Sequence, residues 1–369
     1  MSAYVVLPVA DHTRLVALAF QARGYTAEEA ASAAHWAGRA AWYGIRSHGA
    51  IKALHLDEIL GSGVGGCRPG AAIEKIETGF PAAEKWDSHQ KLGQPVAEEA
   101  MRTCMALADR YGVGIVAVDH AFHYLWGGGY VMDAAAKGYV AYTTCTAGLA
   151  EVVPFQGRYP TLGTNPHSWG LPTTAAVGFP IVIDWATSAV AMGKVQVHLR
   201  EGKPLGQGWA VDAAGHPTVD PSKVAALLPF GGHKGYGLGL LTELVGGMIG
   251  GWLPTLRGRF GEGGEAKRSM SFFFQCWRPE ILGAGTFADT AAQTENVRAV
   301  IADILGHGND SALLPGELEH RAGQLSARHG GLLFTEKEID GLGEEFARAS
   351  VPFHPASLSR VEIAEPAPS

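Results

Sequence analysis

The 369-residue sequence has few cysteines, and their spacing excludes two classes of small, cross-linked protein. The four are Cys67, Cys104, Cys145 and Cys276, and no two of them form a C-x-x-C pair. A disulfide framework or a zinc knuckle needs closer, patterned spacing. Scattered cysteines are typical of a reducing compartment, so the sequence predicts a cytoplasmic location.

Basic clusters and leader-like segments are also missing. With 29 basic and 36 acidic residues the net charge is −7, and no Lys/Arg block is present to neutralise nucleic-acid phosphates, so we expect no nucleic-acid partner. Asp11 interrupts the first apolar run too early for a signal peptide. The most lipid-like stretch, Gly235–Leu253, contains glycines and a central Glu243, so we predict a buried helix there and no membrane span.

What the chain does contain is apolar material and glycine. Apolar residues make up 47% of it, enough for a substantial core, and 50 glycines suit tight turns and close backbone approaches around a ligand. The hydrophobic pattern alternates strands and helices in the middle and is helical at both ends. It therefore predicts a mixed α/β core over residues 67–314, flanked by helical segments at 1–66 and 315–369.

The elements behind this division have local signals. A capping box at Thr26 and Glu29 opens an Ala-rich helix towards Tyr43. The other predicted helices are Asp11–Phe20, Ala50–Leu60, Ala97–Tyr111, Leu238–Ile249, Ala291–Leu305, Gly316–His329 and Glu336–Ala349. Short β-branched or apolar runs predict strands at Val113–Asp119, Tyr139–Cys145, Ile181–Asp184 and Ser271–Trp277.

The segment GSGVGG (Gly61–Gly66) satisfies the dinucleotide fingerprint G-x-G-x-x-G by letter only. It follows a helical stretch instead of a strand, and the next residues, Cys67–Gly70, include a proline and a glycine that do not open a helix. We therefore interpret it as a glycine-rich loop after a helix, with no Rossmann role.

The segment GIRSHG (Gly44–Gly49) separates two helices and holds the first candidate catalytic group. A histidine in such a break can present its imidazole to a pocket and exchange protons near neutral pH, which makes His48 a candidate acid or base. The Ser47 hydroxyl could bond one ring nitrogen and fix the tautomer. Lys52, one helical turn further on, could attract an anionic substrate. A merely solvated histidine is the alternative.

Two histidines follow the apolar run that ends at Asp119, at a strand end where ligands collect in α/β proteins. His120 and His123 have an H-x-x-H spacing that could hold a metal ion, although no H-E-x-x-H motif or carboxylate triad accompanies it. The next residues, Gly127–Gly129, open a helix. Their backbone N–H groups suit a phosphate or carboxylate, and packing glycines are the equally weighted alternative.

Two later segments place charged groups beside a strand end or between glycines. Asp184 ends a predicted strand and either caps the next helix or orients His48. In PFGGHKGYG (Pro229–Gly237), His233 and Lys234 stand at a glycine-rich helix start, where a lysine can bind a phosphate or carboxylate. Because Gly235 follows Lys234, the P-loop spacing is absent and nucleotide hydrolysis is disfavoured.

Taken together and in order, seven short motifs resemble the malate/L-lactate dehydrogenase family of the second, non-Rossmann type. They are SHG (Ser47–Gly49), WD (Trp86–Asp87), HYLWGGGY (His123–Tyr130), GTNP (Gly163–Pro166), IDWATSAVA (Ile183–Ala191), GGHKGYGL (Gly231–Leu238) and PGE (Pro315–Glu317). The histidine-and-glycine stretch and the WD pair are most similar to the 2,3-diketogulonate reductase branch. The resemblance implies a non-Rossmann mixed-sheet fold and a homodimer.

The resemblance also implies chemistry and residue roles. We expect hydride transfer between NAD or NADP and C2 of a small anionic 2-oxo acid, which could be sugar-derived like 2,3-diketogulonate. His48 would donate the proton, with Ser47 and Asp184 as relay partners, while Lys52 and His123 would bind the substrate. Cofactor contacts are expected from three segments: Pro180, Ile181, Val182, Ile183, Asp184, Trp185 and Ala186; His233 and Lys234; and Gly316, Glu317 and Leu318.

Two departures and three alternatives remain. Lys52 stands where the family usually has arginine, and Leu125 and Trp126 change the residues after the pocket histidine. The same scaffold could reduce cyclic imino acids, or bind ligand without turnover. A metal-dependent hydrolase or lyase could instead use His120 and His123, although the resemblance implies no metal.

Overall fold

The computed structural model describes residues 2–250, 269–283, 292–309 and 311–364. The strands, in chain order, are β1 (Ser2–Leu7), β2 (Glu74–Ile76), β3 (Ala83–Asp87), β4 (Val113–Ala121), β5 (Val140–Cys145), β6 (His167–Leu171), β7 (Ile181–Trp185), β8 (Ala210–Val211), β9 (Pro217–Thr218), β10 (Ala226–Leu227), β11 (Met270–Trp277), β12 (Leu332–Phe334) and β13 (Ser359–Ile363). Seven of them form one sheet in the order β2-β3-β4-β11-β5-β6-β7. Only β3 and β4 pair in parallel. The predicted mixed α/β class is confirmed.

Helices from the middle of the chain pack against this sheet, and further helices come from both ends of the chain. Within the described ranges they are α1 (Val9–Gln21), α2 (Ala27–Trp42), α3 (Ala50–Leu60), α4 (Gly93–Tyr111), α5 (Gly127–Ala136), α6 (Thr174–Val177), α7 (Met192–Glu201), α8 (His233–Gly250), α9 (Gln293–Leu305), α10 (Glu317–His329) and α11 (Glu336–Arg348). Of the predicted elements, Ala291 and the end of the 235–253 stretch lie outside the described residues. A small sheet, β10-β8-β9, lies beyond β7 in the chain.

The prediction that both chain ends are purely helical was wrong. A third sheet, β12-β1-β13, joins the first strand to the last two by antiparallel pairing. The sequence AYVVL does carry a β-branched run, but its partners are at the other end of the chain. Pairing between strands so distant in the chain leaves no signal in the local sequence. The helical pattern of the neighbouring residues therefore determined the prediction.

Helix α8 is buried on one face only, whereas its composition predicts a buried helix. Its buried face consists mostly of small residues: Gly235, Gly239, Thr242, Gly246 and Ile249. Its larger apolar side chains, Leu240, Leu241, Leu244 and Met248, are exposed. Small residues let the helix approach the sheet closely, which turns the leucines outward. Across the parts of the chain that the structure describes, no helix is long and apolar enough to cross a membrane.

The GSGVGG segment folds back over the end of α3. Ser62 donates from both its N–H and its hydroxyl to Asp57, at 3.0 and 2.7 Å. A Cβ on Gly63 would lie 2.2 Å from the carbonyl oxygen of Glu58, so this approach requires glycine. The segment therefore closes a helix end, as the interpretation of it as a loop requires.

His12 gives the helical layer a predictable response to acid. Its side chain is fully buried beside Phe334, neither ring nitrogen has a partner among the described residues, and burial lowers its pKa to about 4. The unfolded chain therefore takes up a proton that the fold excludes as pH falls from about 6.5 to 4. Over that window the free energy of unfolding should fall by about 3 kcal/mol on account of this group.

We expect His12→Leu to remove this part of the decline. Urea unfolding at pH 7, 5.5 and 4.5 measures it as the difference between wild type and variant. His216→Leu, at an exposed position, is the matched control and should follow the wild type. A variant that loses stability as steeply as the wild type between pH 6.5 and 4 would contradict the assignment.

Candidate active site

The turn that carries the candidate proton donor is built from a helix end and held by a remote strand. Helix α2 ends at Trp42 and is followed by Gly44 at φ +73°, and the Ile45 N–H donates to the Ala40 carbonyl at 2.8 Å, a common helix termination. A 3₁₀ turn, Arg46–His48, follows and leads into α3. The Arg46 guanidinium bonds the Leu333 carbonyl at 2.6 Å and Glu338 at 2.8 Å, which anchors the turn to the C-terminal layer.

His48 has the neighbours that its sequence context predicts. The Ser47 hydroxyl lies 2.7 Å from Nδ1 of His48. Burial and the Lys52 ammonium lower the pKa of His48 to about 4, so its imidazole is neutral at pH 7 in the free protein. Within the described residues, Lys52 forms no ion pair, and its side chain is exposed. Because its charge is unpaired, Lys52 is available to an anionic ligand.

His123 joins this group from a different part of the chain, the segment after β4. The Leu125 N–H donates to His123 Nδ1 at 2.7 Å, which leaves the proton of the neutral ring on Nε2. Burial, followed by the charges of His48 and Lys52, lowers the pKa of His123 to about 3. The structure thus brings Ser47, His48, Lys52 and His123 into one cluster, with a neutral N–H donor on His123.

Glu151 is a member of this group that sequence reasoning missed. Burial raises its pKa and the Lys52 ammonium lowers it, so the carboxyl and the ammonium lie within electrostatic reach of each other. The residue stands in an irregular segment after β5, without a motif or a periodic pattern. No feature of the sequence around it indicates that the chain passes beside α3.

The two histidines of the H-x-x-H spacing point to separate environments. His120 Nδ1 lies 2.9 Å from Asp87 Oδ2 and its ring is about half exposed, whereas His123 lies beside His48. Among the described residues, the one group with metal-ligand spacing is His55, Glu58 and Glu345. The Arg348 guanidinium already contacts both of those carboxylates, at 3.5 and 2.8 Å. A metal centre on His120 and His123 therefore lacks structural support.

Asp184 does not contact His48, contrary to the predicted relay. Its Oδ1 accepts from the Ser168 hydroxyl at 2.6 Å and its Oδ2 from the Trp126 indole at 3.0 Å. Part of the residue is exposed, yet desolvation of its carboxyl raises the pKa to about 6, and Glu319 acts in the same direction. Ser168 meets Asp184 because β7, at the edge of the sheet formed by the described strands, pairs with β6 in a register that places the two residues opposite each other.

One of the three predicted cofactor segments contains β7, and the other two lie beside it. The Val182 N–H donates to the Pro315 carbonyl at 3.3 Å, which sets Gly316 against the strand. Gly316 has φ +88°, and a Cβ there would lie 2.9 Å from the Val182 nitrogen. In addition, the Phe230 N–H donates to the Thr187 carbonyl at 3.0 Å, so the glycine turn before α8 lies near the end of β7.

The side chains of these segments differ in how they could meet a ligand. His233 and Lys234 are exposed at the first residues of α8, after Gly231 and Gly232, which both have positive φ. Glu317 is occupied, because it accepts from the Leu314 N–H at 3.0 Å and from Arg321 at 2.6 Å. Any contribution of the Gly316–Leu318 turn therefore comes chiefly from its backbone.

The glycines that open α5 serve packing. Gly127, Gly128 and Gly129 are buried, and a Cβ on them would meet Ser168 Oγ at 2.4 Å, the Trp126 indole nitrogen at 2.4 Å and the Trp126 ring at 2.9 Å respectively. Gly128 and Gly129 leave room for the Trp126 indole, which donates to Asp184. The interpretation as packing glycines is therefore favoured over an anion site.

The mixed sheet with its helical layers is the fold of malate/lactate dehydrogenase-type oxidoreductases. A sequence model of malate/L-lactate dehydrogenase matches residues 7–342, so the chain belongs to the malate/L-lactate dehydrogenase family. It is an oxidoreductase related to enzymes that act on small hydroxy or oxo acids.

Three similar proteins illustrate the range of the family. The chain is 30% identical over 350 residues to the Δ1-pyrroline-2-carboxylate/Δ1-piperideine-2-carboxylate reductase of Pseudomonas putida, covering 93% of this chain and 97% of that one. It is 33% identical over 233 residues to the malate/(S)-sulfolactate dehydrogenase of Methanothermus fervidus, covering 62% and 65%. The crystal structure of Δ1-piperideine-2-carboxylate reductase from Pseudomonas syringae superimposes with a TM-score of 0.79 at 27% identity, covering 92% and 99%.

Proposed function

We propose that this protein interconverts a 2-oxo acid and its 2-hydroxy acid with NAD or NADP, using His48 as the proton donor. One loop carries the proposal. It places His123 beside His48 and Lys52, and three residues later its Trp126 donates to Asp184 in β7 at 3.0 Å. This loop therefore connects the cluster of His48, Lys52 and His123, which suits an acidic substrate, to β7, beside which the predicted cofactor segments lie.

The residues around β7 suit a nicotinamide dinucleotide. Gly316, Gly231 and Gly232 all have positive φ, so two turns of glycine backbone lie beside β7, and the exposed Lys234 suits a phosphate. Pro180–Ala186 would line one side of the cofactor, and His233 with Lys234 the other. When bound, the cofactor supplies or accepts the hydride.

The chain's own residues would bind the acid and deliver the proton. Lys52 binds the substrate carboxylate, and the Nε2–H of His123 donates to a substrate oxygen. Because Lys52 lowers the pKa of His48, a carboxylate that pairs with Lys52 counteracts this effect and favours protonation of His48. His48, held at Nδ1 by Ser47, then gives its proton to the oxygen on C2.

A substrate panel tests the proposal directly. The protein is mixed with NADH or NADPH and with 2-oxo acids, sugar-derived 2-oxo acids such as 2,3-diketogulonate, and cyclic imino acids, while absorbance at 340 nm is followed. Reduction of at least one 2-oxo acid is expected. The second candidate, a cyclic imino-acid reductase, is favoured by the similarity to the pyrroline- and piperideine-2-carboxylate reductases. No oxidation of either cofactor with any acid would contradict both candidates.

Lys234→Ala should weaken cofactor binding by about tenfold or more, since hydrogen bonds to charged groups contribute roughly 1.5–3 kcal/mol. Titration of the enhancement of NADH or NADPH fluorescence measures the Kd without turnover. Lys137→Ala, an exposed lysine on the turn after α5, is the matched control. Equal cofactor affinity in wild type and Lys234→Ala would remove Lys234 from the site.

The proposal includes a cytoplasmic homodimer, as the family resemblance implies. The exposed leucines of α8 support a subunit contact, because large apolar side chains grouped on one helix face are typical of interaction surfaces.

A further inference from the structure

Glu151 lies at the seam between the small sheet and the helical layer. Its N–H donates to the Leu162 carbonyl at 2.9 Å, and its carbonyl accepts from the Leu227 N–H at 2.8 Å, which ties it to β10. Leu149, two residues earlier, packs against the hydrophobic core that includes Leu54 of α3. The segment therefore bridges the small sheet and the helix that carries Lys52.

The charges at this seam are opposite and unpaired. Glu151 is partly buried, and within the described part of the chain its side chain forms no hydrogen bond or ion pair. Lys52 likewise has no ion-pair partner there, although the two groups are close enough to affect each other. A partly buried carboxylate without a donor is costly, so a ligand that supplies one gains affinity from it.

We propose that Glu151 is a specificity-determining residue that selects substrates with a protonated nitrogen next to the carboxylate, as in a cyclic imino acid. This inference rests on the proposed function. Lys52 would hold the substrate carboxylate, and Glu151 would accept a hydrogen bond from the adjacent iminium N–H. A plain 2-oxo acid has an oxygen at that position and offers Glu151 no donor.

The reaction balances without another reactant. C2 of the iminium accepts a hydride from the reduced nicotinamide, which is thereby oxidised, and the C=N π pair becomes the lone pair of the product amine. The nitrogen already carries its proton, so the substrate needs none from His48 in this step. In a 2-oxo acid, by contrast, the oxygen on C2 must receive a proton.

The experiment compares two substrates with five carbons each, Δ1-pyrroline-2-carboxylate and 2-oxopentanoate, in wild type and in Glu151→Gln. We expect Glu151→Gln to lower kcat/KM for the cyclic imine by about tenfold or more, because a charge-assisted hydrogen bond is lost. For the oxo acid, kcat/KM should change by less than about threefold. Glu344→Gln, at an exposed position on α11, removes the same charge elsewhere and should leave both values unchanged.

Three other outcomes would overturn the inference. Equal losses for both substrates would mean that Glu151 acts only through the effect of its charge on Lys52. No change with either would mean that Glu151 does not meet the substrate. Turnover of the oxo acid but not the imine by the wild type would reject the inference and leave the proposed function standing, whereas absence of turnover with every acid would reject both. Cofactor fluorescence and circular dichroism of each variant show whether it is folded.

Discussion

His48→Ala should lower kcat for a 2-oxo acid by about 10²–10⁴, the usual contribution of general acid–base catalysis. In the proposed reaction, the oxygen on C2 develops negative charge as hydride arrives, and His48 is the group that Ser47 orients towards it. The residue belongs to the turn between α2 and α3, whereas the cofactor segments surround β7. Cofactor affinity should therefore stay within about twofold of wild type.

Steady-state kinetics at saturating cofactor measure kcat. A separate titration of NADH or NADPH fluorescence measures the cofactor affinity. His216→Ala removes an exposed histidine from the turn between β8 and β9 and should behave as wild type. A smaller effect of His48→Ala on a cyclic imine than on a 2-oxo acid is also expected, since the iminium brings its own proton. Full kcat with the 2-oxo acid would refute the role of His48.

Lys52→Met should raise KM for the 2-oxo acid by about 10- to 100-fold, with a smaller change in kcat. The ammonium is the cation beside His48 and His123 that is free of ion pairs within the described residues, and a hydrogen bond to a charged group contributes roughly 1.5–3 kcal/mol. Loss of binding in both ground and transition states appears mainly in KM. Lys52→Arg should retain most of the affinity, because a guanidinium also binds carboxylates.

The same variant has a pH signature. Burial lowers the pKa of His48 most and Lys52 adds to this effect, so removal of Lys52 should raise the pKa part of the way from about 4 while the effect of burial remains. The protonated form then persists to higher pH, and NMR titration of the His48 ring should show this shift in Lys52→Met. Lys137→Met is the control for loss of one lysine. An unchanged KM for the oxo acid would contradict the assignment of Lys52 to the substrate carboxylate. An unchanged pKa of His48 would show that Lys52 does not act on His48.

Local signals were enough for the parts of this protein in which the interacting residues are neighbours in the chain. The capping box of α2 forms as predicted, with Glu29 N–H donating to Thr26 Oγ1 at 3.2 Å. Ser47 meets His48 because the two are adjacent, and the proline and glycine after GSGVGG exclude a helix there. Apolar runs predicted β4, β5, β7 and β11 to within two residues at each end. Each of these features depends on residues that lie only a few positions apart.

Tertiary structure alone decided the contacts between segments that are distant in the chain. The pairing of β1 with β12 and β13, the position of Ser168 opposite Asp184, and the approach of Glu151 to Lys52 all depend on how strands pair and layers pack. The partners of Asp184 have the same origin, because Ser168 and Trp126 approach its carboxylate from separate parts of the chain. Hydrophobic periodicity records which face of an element is buried but not what covers it, so only the folded chain could determine these neighbours.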